Sequence, residues 1–410
     1  MVTSRNLRRF ASLCLALSLV VLAGCSSAPP AQQSSGQSGG TQSQSGGTQT
    51  QSGSSSAPAA SEGDILIGAV LPITGGSAKM GQDMQNSIQM AFDEINAQGG
   101  VLGRKLKLEV QDDACDPQSA VAAANKIVSM NVVAVISGYC SGAFLPTEPI
   151  YHNAGIGVVV PAANAVSLTE QGYEEINLIN ATNRDQARTA ADYIVNQWNA
   201  QKVALIHDNS AFALELAELT REFLQGRAEV VAFEAITPGE KDFSAVLTSL
   251  KGKGPDAIYF TGYYAEGGLI INQARGLGIT ARIMVGDGAN DPTLVEIAGA
   301  ENAEGVAITT SPGAFDFTGS NEWVPRYREK YGEPGPYSVH AYDAAYVVAE
   351  AIKQAGTTDR AAVAKAIRGI NIEGISGPIS FTETGNRKDG YFIVLEVKDG
   401  EFTVVQRAPR

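Results

Sequence analysis

Residues 65–72 read ILIGAVLP, an apolar run broken by a proline, and they are the clearest pointer to the fold. With no polar residue to face water, such a run suits a β-strand covered on both faces. The next segment is helical. Met84, Ile88, Phe92 and Ile95 recur at spacings of four, four and three, and Gly99-Gly100 end the stripe. Further on, Lys105 to Gln111 reads as a strand, Gln118 to Met130 as a helix behind Pro117, Val132 to Ser137 as a strand, Ser141 to Asn153 as a helix and Ile156 to Val160 as a strand. A second series has strands near Val203 to His207, Val230 to Ala235, Ala257 to Phe260, Arg282 to Val285 and Val306 to Thr309. Helices near Leu214 to Gln225, Phe243 to Lys251, Gly267 to Leu277 and Pro292 to Ala298 separate them. Strand and helix in alternation predict an α/β fold with parallel sheets covered on both faces, and two series predict two doubly wound lobes.

At 410 residues the chain is long enough for two cores. Upstream of the body, residues 1–24 carry Arg5, Arg8 and Arg9 and then an apolar run from Phe10 to Leu22, a signal peptide too short for a stable membrane span. Leu22-Ala23-Gly24-Cys25 resembles the bacterial lipobox, which implies cleavage before Cys25 and a lipid on its sulfur. Residues 26–61 contain only Ser, Gly, Gln, Thr, Ala and Pro. Such a segment cannot bury enough apolar surface to order itself, and as a flexible coil it reaches about 30–36 Å. A globular body tethered to a membrane is the expectation. Its localisation is then the outer side of the cell membrane, held by lipid alone.

The net charge is −13, and loss of three arginines with the signal takes it to −16. Nucleic acid and anionic lipid recruit clustered cations, so neither is expected as a partner. Of four cysteines, Cys14 leaves with the signal and Cys25 takes the lipid, which leaves Cys115 and Cys140; two cysteines in an exported domain most simply form one bridge.

From Asp64 onward the chain has no GxxxxGK[ST], HExxH, GxSxG or Ser-x-x-Lys motif, so nucleotide, zincin and common serine acyl-transfer chemistry lack support. His152, His207 and His340 are far apart in sequence, and Asp112, Asp113 and Asp116 lack the glycine and final glutamate of a calcium loop. Neither a metal nor a cofactor is expected, and the protein is not expected to be an enzyme. In open parallel sheets ligands bind beyond the carboxyl ends of the strands. The segments there, Pro72 to Met80, Asp112 to Asp116, Gly138 to Gly142, Pro161 to Ala165, Asp208 to Phe212, Thr261 to Tyr264 and Gly286 to Asn290, mix small polar and aromatic residues. Ser141 opens a helix, where N–H groups and the positive dipole end could meet a carboxylate or where the serine could simply cap.

Several segments in order, DDACDP (112–117), ANKIV (124–128), GEKDFS (239–244), GYY (262–264), QAR (273–275) and GDG (286–288), give the body a close likeness to a known family. The chain resembles the leucine/isoleucine/valine-binding proteins of branched-chain amino acid ABC transporters, with the type I periplasmic-binding fold. The resemblance implies a disulfide between Cys115 and Cys140. It implies a ligand carboxylate held by Ser141 and the N–H groups at its helix start and at Asn164, and an ammonium held by Asp287 and the backbone carbonyl of Ala162. Met80, Phe212, Tyr263 and Tyr337 fall at side-chain pocket or gate positions. Phe212 and Tyr337 are also open to a reading as core or cap residues. Asn164 stands where the family commonly has Thr, and Met80 where it often has Trp. Chain crossings near Thr182, Ser311 and Asp389 are implied, which divide the chain into residues 62–182 plus 312–389 as lobe 1 and 183–311 plus 390–410 as lobe 2.

The expected function is capture of a free amino acid, branched-chain or otherwise small and apolar, and its delivery by a monomer to an ABC permease and its ATPase subunits. The alternatives are the same fold tuned to an amide, urea or aromatic acid, and a sensory ligand-binding domain. Asp287 argues against a ligand lacking an amino group.

Overall fold

The computed structural model describes residues 63–407, so the signal segment, Cys25, the tether and the last three residues lie outside the described residues. β1 (Ile65–Leu71) is the apolar run ILIGAVL, buried except at half-exposed Leu66. With β2 (Leu106–Asp112), β3 (Ala134–Ser137), β4 (Val158–Val160) and β5 (Ile176–Leu178) it forms a sheet of order β2-β1-β3-β4-β5. Every pairing in it is parallel, with Ile67 opposite Leu108 on one side and Ala134 on the other. β5 is three residues long, too short to show a period in the sequence. The helix Asn183–Asn196 has no strong apolar period either, because its buried stripe mixes three alanines with the polar Asn183 and Gln186; Thr182 and Asp185 cap it reciprocally.

A second sheet begins with β6 (Lys202–His207), β7 (Glu229–Ala235), β8 (Ala257–Phe260), β9 (Arg282–Val285) and β10 (Ala307–Thr310). The chain then adds a small hairpin, β11 (Asn371–Gly374) with β12 (Gly377–Ser380), before β13 (Ile393–Lys398) and β14 (Glu401–Gln406) complete the order β14-β13-β10-β9-β8-β6-β7. β13 runs antiparallel to both β10 and β14, so a sheet expected to be parallel is mixed at one edge. Asp399 and Gly400, both at positive φ (52° and 81°), make the tight turn between these strands. Asp-Gly is the common dipeptide for such hairpins.

One pair of cores gathers side chains from the first sheet and from residues 314–381, including the buried helix Ser338–Ala355; the other pair draws on residues 187–308 and the returning β13. Strand order reverses at β1/β3 in one sheet and β6/β8 in the other, and a cavity of about 550 Å³ lies outside these points, lined by the loops leaving β1, β2, β3, β6, β7 and β8.

The helix read over Ser141 to Asn153 is broken into a single turn Ser141–Phe144, a 3₁₀ turn Leu145–Thr147 and a helix Glu148–Asn153. Pro146 and Pro149 each remove a backbone donor from what would otherwise be a continuous ladder. Glu148 is fully buried, and neither carboxyl oxygen has a partner. Burial pushes its pKa up to about 8. A group protonated when folded and ionised when unfolded stabilises the fold below about pH 4.5, and that contribution is lost as pH rises towards 8. Glu148→Gln is therefore expected to stabilise the protein by about 2–3 kcal/mol at neutral pH and to flatten its profile between pH 5 and 8. Denaturant melts across that range check it; parallel profiles for the two proteins would refute it.

Candidate functional site

Asp287 enters just after β9 as the first residue of a short 3₁₀ turn, Asp287–Ala289, and is 3 % exposed. Its Oδ2 accepts hydrogen bonds from the Tyr337 hydroxyl at 2.9 Å and the Asn164 amide at 3.1 Å. Its Oδ1 is buried with no partner. Burial pushes the pKa up to about 6, against which the Tyr337 bond pulls down. A carboxylate held from one side and unsatisfied on the other is a site for a hydrogen-bond-donating cation. Burial also raises the Tyr337 and Tyr263 hydroxyls, so both stay protonated donors.

Ala162, Asn164, Phe212, Tyr263, Asp287 and Tyr337, brought from the ends of four strands and the start of a long helix, line one small cavity of about 10 Å³ together with Tyr139 and Gly288. The Ala162 carbonyl accepts the Asn180 amide at 2.7 Å and keeps a second lone pair. Asn164 donates its amide hydrogens to Asp287 and Gln186, which leaves its backbone N–H as the donor free for a ligand. Phe212 serves both as core and as wall, packing on Tyr263 with ring centroids 5.6 Å apart.

Ser141 and Met80 stand apart from this lining. Ser141 is 1 % exposed, and its Oγ accepts the N–H of Ala165 at 3.3 Å, one residue beyond Asn164. Cys140, not Ser141, occupies the cap position, and no side chain caps the turn. A single turn has little of the aligned dipole of a long helix, so a carboxylate there would be held by individual N–H groups and the serine hydroxyl. Met80 is buried at 3 % in the first-sheet core. Cys115 and Cys140 are disulfide-bonded, with Cα atoms 5.4 Å apart, and tie the β2 and β3 loops together.

Other contacts close the cleft. Glu215 accepts the N–H groups of Val166 and Ser167 at 2.7 and 3.1 Å, and the Tyr264 hydroxyl donates to the Gly76 carbonyl. Tyr139 and Gly288 fall in the strand-end segments singled out from the sequence but were assigned no role there, and Gln186 and Glu215 were not singled out at all. Tyr139 had a signal, an aromatic residue two places beyond β3; Gln186 and Glu215 sit mid-helix and had none.

The histidines do not assemble. His152 pairs with Glu175 at 2.8 Å, His207 packs on Phe233, and buried His340 lies beside Phe317 with its pKa pushed down to about 3. Among the described residues no cluster of His, Cys, Asp and Glu could hold a metal ion, and no helix is long and apolar enough to cross a membrane.

Residues 64–401 match the periplasmic binding protein family. The Leu/Ile/Val-binding protein of Escherichia coli is 35% identical over 336 residues, 81% of this chain and 90% of that protein. Leu/Ile/Val-binding protein homolog 3 of Brucella melitensis is 33% identical over 346 residues, 84% and 94% of the two chains. Among solved structures, the branched-chain amino acid transporter substrate-binding protein LivJ of Streptococcus pneumoniae, in complex with isoleucine, superposes with a TM-score of 0.77 at 31% identity, covering 84% of this chain and all of that one. The type I fold and the paired sheets agree with these relatives: the chain belongs to the periplasmic binding protein family, as a substrate-binding protein of the ABC-transporter kind.

Proposed function

We propose that this protein captures a free α-amino acid, branched-chain or otherwise small and apolar, between two lobes and hands it to an ABC importer. The observation behind this is the unpartnered Oδ1 of Asp287, buried among aromatic rings where an ammonium would complete its hydrogen bonding. In this reading the Ala162 carbonyl assists at the ammonium, and Ser141 with the N–H groups at its turn and at Asn164 receives the carboxylate. Phe212, Tyr263 and Tyr337 wall the side chain, and Met80 supports the wall from the core.

The lobes are residues 62–182 plus 312–389 and 183–311 plus 390–410, hinged near Thr182, Ser311 and Asp389. A residual space of about 10 Å³ admits no amino acid, so the lobes part before binding and close on the ligand, withdrawing its charges from water where pairing strengthens. The body works as a monomer outside the cytoplasmic membrane, anchored through lipid on Cys25 after removal of residues 1–24. A thermal-shift screen of the mature protein tests the reading. A ligand of the folded state alone stabilises it by about RT ln(1 + [L]/Kd), so one or more amino acids should raise the melting temperature. Shifts only with amides, urea or aromatic acids, or none at all, would refute it.

A further inference from the structure

We infer that Tyr139 sets the side-chain size the cleft accepts, so that the ligand is an α-amino acid with a very short side chain, such as glycine, alanine or serine; this rests on the proposal that the cleft binds an amino acid. Tyr139 lies two residues beyond β3, 8 % exposed, and its ring is one wall of the space beside Asp287. It meets Tyr337 edge-on at 5.7 Å and Tyr263 at 6.4 Å. The space these rings leave is about 10 Å³, room for about one water molecule. Any ligand has to widen it, and the gain depends on which walls can move.

Tyr139 is the wall least able to move. Its neighbour Cys140 is tied to Cys115. Gly138 before it has φ +97°, and a Cβ there would lie 2.9 Å from Val160, so the backbone is confined to a turn only glycine adopts. Swinging the ring out would also unpack Tyr337, whose hydroxyl holds Asp287. Tyr139 and Tyr337 therefore travel together as one face, and closure returns Tyr139 onto Tyr263 of the opposite face. A branched four-carbon side chain on an ammonium held by Asp287 runs into that ring, whereas hydrogen, methyl or hydroxymethyl passes it. The 550 Å³ cavity shares only Tyr263 with the smaller one, and Tyr139 does not line it.

The experiment is calorimetric titration of glycine, alanine, serine, leucine and isoleucine into the wild type, Tyr139→Leu and Tyr139→Phe. The wild type should bind alanine at least about tenfold more tightly than leucine. Tyr139→Leu should shift the leucine-to-alanine ratio towards leucine by about tenfold or more, while Tyr139→Phe, which retains the ring, should keep the preference for alanine. A general loss of stability would weaken all ligands alike and leave that ratio in place. Leucine bound by the wild type as tightly as alanine, or an unchanged ratio in Tyr139→Leu, overturns the inference while the amino acid reading stands. Should Tyr139→Leu fail to fold, the wild-type ratio alone decides. No binding of any amino acid overturns the amino acid reading, and this inference with it.

Discussion

Replacing Asp287 with asparagine is expected to weaken amino acid binding by about 2–4 kcal/mol, roughly thirty- to a thousandfold, while making the ligand-free protein more stable. The two effects have opposite signs because they come from the same buried oxygen. In the free protein Oδ1 is desolvated and unpaired, and burial raises the pKa to about 6. An acid raised in this way stabilises the fold only below its unfolded value near 3.8, and that contribution disappears as pH climbs through 6. At neutral pH the folded state bears the penalty, and asparagine, which cannot ionise, relieves it. With ligand bound the ammonium supplies the missing partner, and asparagine cannot offer it a charge.

A pH signature arises from the same group. Affinity should fall as pH drops below about 6, by about tenfold between pH 7 and 5, as Asp287 takes up a proton. Asp287→Asn should show no such slope. Calorimetry across pH with the two proteins checks both statements, and unchanged affinity in the variant would remove Asp287 from the site.

Removing the Cys115–Cys140 bridge, by reduction or as the Cys115→Ser/Cys140→Ser double variant, should lower stability by about 3–4 kcal/mol. The bonded residues are 25 apart in sequence, and opening that loop returns chain entropy to the unfolded state. Ligand affinity should fall as well. The bridge fixes the β3 loop, which bears Tyr139 on one side of Cys140 and Ser141 on the other, and a loop free to wander must be ordered again at binding. Denaturant melts with and without reductant measure the first effect and titration of the reduced protein the second. A double variant within about 1 kcal/mol of wild type would show that the native contacts alone hold the loop.

How far the chain could be read depended on the range of the interaction concerned. β1 announced itself because seven consecutive residues meet core on both faces, and the helix Ala78–Ala97 because its stripe repeats within a few turns. Proline broke the pattern at Pro146 and Pro149, where apolar spacing suggested one continuous helix. The hairpin of β13 and β14 had its Asp399-Gly400 signal, but attaching it antiparallel to β10 joins residues some ninety positions apart, which no local period encodes.

At the site the division is the same. Local pattern and resemblance placed Asp287, Tyr263 and Asn164 on loops beyond strand ends, because a switch of strand order leaves a crevice there. They could not show that Tyr337 and Asn164 grip only one oxygen of Asp287, nor that the ring of Tyr139 fills the space beside the other. Residue types and periods are properties of neighbours along the chain, and they settled the α/β class, the two strand series and the family. Which oxygen stays bare and how much room lies next to it are set where five loops and a helix from distant parts of the chain meet, so folding alone decided them.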